Sequence, residues 1–172
     1  MSEESTTPEQ PSINQDKLQT LLAEMELQQN LPMGVIAAAV AAIIGAALWA
    51  VVTVLTQYQI GFMAIGVGLL VGFAVKYFGK GITPLYSFIG AGFSLLGCLL
   101  GNLLSIVGFI GIEEEMSYFS VLSSLDYTAI PDVMVATFQP MDLLFYGLAI
   151  YQGYKISLNT LSEEQLASVM DK

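Results

Sequence analysis

Apolar residues gather into four long runs, at 32–56, 59–78, 85–112 and 140–158, separated by shorter polar stretches. A helix needs roughly 20 residues to cross about 30 Å of bilayer hydrocarbon, and each run meets or approaches that length. The expected architecture is all-α: a polytopic membrane protein with four transmembrane helices, a glycine-striped central hairpin and short amphipathic helices outside the bundle. The first run is rich in alanine and carries Trp49, and Pro32 suits a first helical turn, where an N–H is unneeded. The fourth is the shortest and contains Asp142, Gln152 and Lys155. Asp142 falls where a helix N-terminus favours an anion. Tyr151, Tyr154 and Lys155 fall where an interfacial belt is expected.

Outside the runs, residues 1–11 are rich in Ser, Thr, Pro and Glu, a composition that predicts disorder. From Ser12 the pattern changes. Ser12 with Gln15 makes a capping box, and Ile13, Leu18, Leu21, Leu22 and Met25 recur at helical spacing, predicting an amphipathic helix over 12–30. In the tail, 159–172, Thr160 with Glu163 opens a shorter helix that puts Leu166, Val169 and Met170 on one side. The loop 113–139 begins with Glu113, Glu114 and Glu115, continues with an apolar-rich piece at 116–125, and resumes after Pro131. Its Tyr118, Phe119, Leu122, Leu125, Val133, Met134 and Phe138 suit two short helices lying at the membrane surface; a small soluble cap is the alternative. The first 31 residues are too hydrophilic and acidic for a signal peptide, and they encode no obvious lipid anchor.

Lysine placement sets the expected orientation, because short loops bearing Lys stay cytoplasmic. With four spans, Lys17, Lys76, Lys80, Lys155 and Lys172 all fall on one side, and the opposite loops have no lysine. Both termini are therefore expected in the cytoplasm; dropping the fourth span would move Lys155 and Lys172 outside.

Composition narrows the function classes. The chain of 172 residues is 55 % hydrophobic and 12 % charged, against roughly a quarter charged in soluble domains. A net charge of −10 without arginine excludes nucleic acid as a partner, because phosphate binding needs a basic surface. The chain has no histidine, which removes imidazole proton transfer and histidine metal sites. The single cysteine, Cys98, lies in an apolar run without a base to activate it, so packing is its expected role.

The most specific pattern is a pair of glycine stripes. Gly61, Gly68, Gly72 and Gly79 are spaced 7, 4 and 7, and Gly90, Gly97, Gly101 and Gly108 repeat that spacing 29 residues later. At about 100° per residue, each set stays within about 20° of one line over roughly 27 Å. Small residues let membrane helices approach closely, and the short connection 80–84 makes the two helices antiparallel neighbours. The expected use is helix packing, in a glycine-faced hairpin at the centre of the bundle; lining a cavity is the alternative. Ser87, Ser94, Cys98 and Ser105 repeat the same spacing on an adjacent line of the third run, with Asn102 just beyond. Small hydroxyls can bond their own helix backbone. A mid-membrane asparagine pairs across an interface or lines a polar path or groove.

No acid lies deep in a predicted span, so a carboxylate proton relay lacks its main component. The three consecutive acids at Glu113–Glu115 do not converge on one helical face, and a solvated cap is the expected reading over a divalent-cation site. No catalytic residue, metal or cofactor is expected. The run 90–101, with GCLLGN reaching Asn102, and the stretch MDLLFYGLAIYQGYKIS at 141–157 resemble segments of small bacterial multi-span proteins usually described as uncharacterised. The resemblance covers about 61–157 and implies a bacterial inner-membrane protein, with no activity or site attached. The function expected from all of this is non-enzymatic: a scaffold, assembly or regulatory subunit. The lipid bilayer surrounds it, and 12–30 engages a protein partner or a second protomer. The alternative is a small transporter or channel component with a path along Ser87, Ser94, Cys98, Asn102 and Ser105.

Overall fold

Capping and proline placement set where each helix begins. In the computed structural model, which describes residues 13–170 except 59, 125 and 127, helix α1 spans Gln15–Leu27 and α2 spans Leu31–Thr56. Asn14 caps α1 by accepting the Lys17 N–H at 3.1 Å. Asn30 caps α2 by accepting the Met33 N–H at 3.0 Å, with Pro32 in the first turn. The helix expected over 12–30 is thus shorter at both ends. Its expected cap, Ser12, lies outside the described residues, and Asn30 belongs to the next helix.

The second apolar run forms α3, Phe62–Ala74, and continues as a π-helical turn over Val75–Gly79. Lys80 then turns the chain with φ 49°. Helix α4, Pro84–Glu113, starts on its proline and runs for 30 residues. Two short helices follow in the loop, α5 over Tyr118–Ser124 and α6 over Ile130–Thr137. Helix α7, Pro140–Ile156, opens with a reciprocal cap in which the Gln139 N–H donates to the Asp142 carboxylate at 2.9 Å. Helix α8, Glu163–Val169, is capped by Ser162 with Gln165, two residues beyond the expected Thr160 and Glu163. No named strand is present among the described residues; an isolated antiparallel bridge joins Ile13 and Met170.

Three of these helices are long and apolar enough to cross a membrane: Leu31–Thr56, Phe62–Gly79 and Pro84–Glu113. A fourth crossing arises if α6 and α7, bent by 103° at their junction, count as one broken span. At 1.5 Å per residue, the 17 residues of α7 reach only about 25 Å.

Helices α3 and α4 form the middle of the bundle and pack on each other and on both flanking helices, α2 and α7. The interior is built from small residues. On α2 the buried positions are Gly34, Ala38, Ala41, Ala42, Gly45, Ala46, Trp49, Ala50 and Thr53, while Ile36, Val40, Ile43, Leu48, Val51 and Leu55 are exposed. That distribution inverts the water-soluble pattern, which puts large apolar side chains inside, and it suits close helix packing within lipid.

One end of the bundle is clipped together by backbone hydrogen bonds. The Asn30 N–H donates to the Gly79 carbonyl at 2.8 Å, and the Asn159 N–H donates to the Gly81 carbonyl at 2.8 Å. Tyr86 fills the junction. Its ring lies where a Cβ on Gly81 would stand, and a Cβ on Gly79 would come within 2.8 Å of it. The first and last described helices meet as well, with α1 packed on α8 and the Asn14 N–H donating to the Val169 carbonyl at 2.7 Å.

Candidate functional site

The two glycine stripes do not face each other. Side chains added on α3 would meet α7: Gly61 meets Phe145, Gly68 meets the Ala149 backbone, and Gly72 meets Ile156 with its Cβ 2.9 Å away. Gly79 faces Tyr86 and Gly34. On α4, Gly90 meets Ser157 and Gly153 of the α7 end. Gly97 meets Val67 and Ala42, Gly101 meets Trp49 and Ala46, and Gly108 meets Val54. The hairpin is central, as its short connection requires, but each glycine line is turned mainly onto a flanking helix. Val67 of α3, not a glycine, fills the space beside Gly97.

The polar line of α4 is wholly inside the bundle: Ser87, Ser94 and Cys98 are fully buried, and Asn102 and Ser105 nearly so. Two of its hydroxyls turn back on their own helix. Ser94 Oγ donates to the Gly90 carbonyl at 2.7 Å and Ser105 Oγ to the Gly101 carbonyl at 2.7 Å. Such back-bonding satisfies a hydroxyl without a neighbour. Cys98 Sγ approaches the Ala64 carbonyl of α3 at 3.9 Å. Ser87 Oγ has no hydrogen-bond partner among the described residues.

Asn102 reaches across to α7, donating from Nδ2 to the Tyr146 hydroxyl at 3.2 Å. Tyr146 anchors an aromatic group: its ring meets Trp49 edge-on at 6.3 Å and Phe138 edge-on at 6.0 Å. Trp49 and Thr53, one turn further along α2, are buried, and Trp49 Nε1 and Thr53 Oγ1 have no hydrogen-bond partner among the described residues. Asp142, one turn before Tyr146, is also buried. The need of Asn102 for a partner is visible in the sequence. The identity of that partner, 44 residues away, is not, because Tyr146 sits in a run dense with aromatic residues.

The bend between α6 and α7 opens a cleft of about 350 Å3 beside this group. Leu99 and Asn102 form one wall, Pro131, Met134 and Val135 another, and Phe138 and Tyr146 close it. Searches of protein families, curated proteins and solved structures find no match to this chain.

The other acids among the described residues are exposed. Glu113, Glu114 and Glu115 are exposed, and no group of three or more His, Cys, Asp or Glu side chains is placed to hold a metal among the described residues. In the loop, Tyr118 donates its hydroxyl to the Leu104 carbonyl at 3.1 Å, and burial pushes its phenol up. The Asp126 carboxylate accepts from the Thr128 hydroxyl at 2.7 Å and the Thr128 N–H at 3.0 Å, which holds it below its ordinary value. At the opposite end, Lys155 Nζ lies 5.6 Å from the Tyr151 ring centroid.

Proposed function

We propose that the chain is a four-span integral protein of a bacterial inner membrane and acts as a non-enzymatic scaffold, assembly or regulatory subunit. The observation that carries this reading is the contact between the first and last described helices. Helices α1 and α8 meet through the Asn14 to Val169 hydrogen bond and the Ile13–Met170 bridge. Most of α1 remains exposed, including Leu22 and Leu27. An assembled platform with an apolar edge is a surface for a partner helix or a second protomer. Lys17, Lys80 and Lys155 lie on helices or turns at this same end, which supports a cytoplasmic placement for it.

Within the bundle, the glycine lines serve as close-packing seams, α3 on α7 and α4 on α2. This supports packing over a cavity, because backbone or rigid side-chain atoms already occupy the space beside Gly68, Gly97 and Gly101. The test uses the full chain and a Leu22→Glu/Leu27→Glu variant, each purified in mild detergent from native membranes. The platform is supported if a stoichiometric partner, or a second protomer, copurifies with the full chain and is missing from a variant of unchanged helicity. Unchanged association overturns it.

A second reading, a transporter or channel component, is supported by one observation. The buried Ser87 Oγ, Thr53 Oγ1 and Trp49 Nε1 lack hydrogen-bond partners among the described residues, and a hydrated path would satisfy them. Gly97→Leu distinguishes the two: loss of folding speaks for packing, and retained folding with lost flux speaks for a path.

A further inference from the structure

We propose that the cleft at the α6–α7 bend holds one acyl chain of a bilayer lipid. The inference rests on the reading of the chain as membrane-spanning. Depth is the first support. Asn102 stands eleven residues before the end of α4 at Glu113, about 16 Å along the helix axis. Helix α4, at 30 residues, is about 45 Å long and exceeds the hydrocarbon by roughly 15 Å. Asn102 therefore lies within the apolar thickness. Because Met134 and Val135 line the same cleft, α6 reaches that depth too.

Chemistry is the second support. The walls are almost entirely carbon, since Asn102 Nδ2 is directed at the Tyr146 hydroxyl. Water needs two to four polar partners to settle in a cavity, and an empty cleft forfeits the dispersion contacts of its lining. A hydrocarbon chain meets both conditions, and the volume of about 350 Å3 is in the range of small-molecule sites. Access is the third support. Helix α6 has no buried side chain, and Val135 is 77 % exposed, so the cleft opens sideways toward lipid. The chain enters past Val135 and ends against Phe138 and the Tyr146 ring.

The single tryptophan makes this measurable. Trp49 is buried from bulk lipid but meets the Tyr146 ring edge-on. The full chain is reconstituted in phosphatidylcholine vesicles, or held in mild detergent micelles, with increasing fractions of acyl-brominated phosphatidylcholine, and Trp49 emission is followed. The expected result is a saturable quenching component at low brominated fraction. It disappears in Val135→Phe, which fills the cleft from an exposed position, and persists in Leu143→Phe on the exposed face of α7. Native mass spectrometry adds a second readout, one phospholipid retained per chain and none in Val135→Phe. A saturable component that is absent from the unaltered chain, or unchanged in Val135→Phe, overturns the proposal. An alkaline wash of the vesicles separates the two readings. A chain stripped off by the wash refutes membrane spanning, whereas an embedded chain without saturable quenching refutes the lipid site alone.

Discussion

Two glycines of α3, two residues apart, should respond oppositely to the same added methyl group. A Cβ on Gly68 would lie 2.8 Å from Ala149 Cα and 3.0 Å from its carbonyl carbon. These are backbone atoms of α7 and cannot swing aside as a side-chain tip can. A Cβ on Gly66 meets nothing within 4 Å. Both Gly→Ala changes share the same gain in helix propensity and the same restriction of the unfolded chain, so their difference isolates the packing. Overpacking costs about 1–3 kcal/mol, which corresponds to a roughly 5- to 150-fold difference in the folding equilibrium constant at 1.4 kcal/mol per tenfold. Unfolding of both variants in mild detergent, by SDS titration with circular dichroism as the readout, measures that difference directly. Equal midpoints for Gly66→Ala and Gly68→Ala would refute the assignment of the glycine line to a tight α3–α7 seam.

Other consequences are smaller but specific. A double-mutant cycle of Asn102→Ala with Tyr146→Phe should give a coupling of about 0.6 kcal/mol, and below roughly 1.7, the span measured for interhelical hydrogen bonds in membranes; zero coupling would mean that the hydrogen bond contributes nothing. Ser162→Ala removes the α8 cap and should cost the helix about 1 kcal/mol, seen as faster amide exchange at Gln165 with the bundle unaffected. Because Thr128 stabilises the ionised Asp126, the folded carboxylate titrates below the unfolded one. The associated stability is present above the unfolded pKa and lost as pH falls through the folded one. Thr128→Ala should raise the Asp126 midpoint observed by NMR, and an unmoved midpoint would rule out these bonds as the cause.

The four apolar runs were legible because a membrane-length helix must be apolar along nearly its whole length, and α2, α3 with its π turn, and α4 follow them closely. Helix ends were less legible. Thr160 and Ser162 are both competent caps in sequence, and only backbone geometry selects between them. The glycine spacing reveals which side of a helix is small, whereas the rotation of that side toward one of three neighbours depends on the packing of the whole bundle. In this bundle that rotation sets Gly68 against Ala149 and Gly101 against Trp49, both on flanking helices. Among the candidate site residues, the inward placement of Ser87, Ser94, Cys98 and Ser105 follows from their shared line, and Asn102 lies just beyond it. Trp49, Thr53 and Tyr146, which gather around them, lie on other helices and were not marked by spacing.

The sidedness of the chain tests the four-span arrangement most directly. In a Cys98→Ala background, single cysteines at Lys17, Glu114 and Ser162 are probed with a membrane-impermeant thiol reagent on intact cells and on inverted vesicles. The expected result is labelling of the Lys17 and Ser162 positions from the cytoplasmic face and of the Glu114 position from the opposite face. Labelling of the Ser162 position from the same side as Glu114 would contradict the account, since the α6–α7 segment would then not cross the membrane.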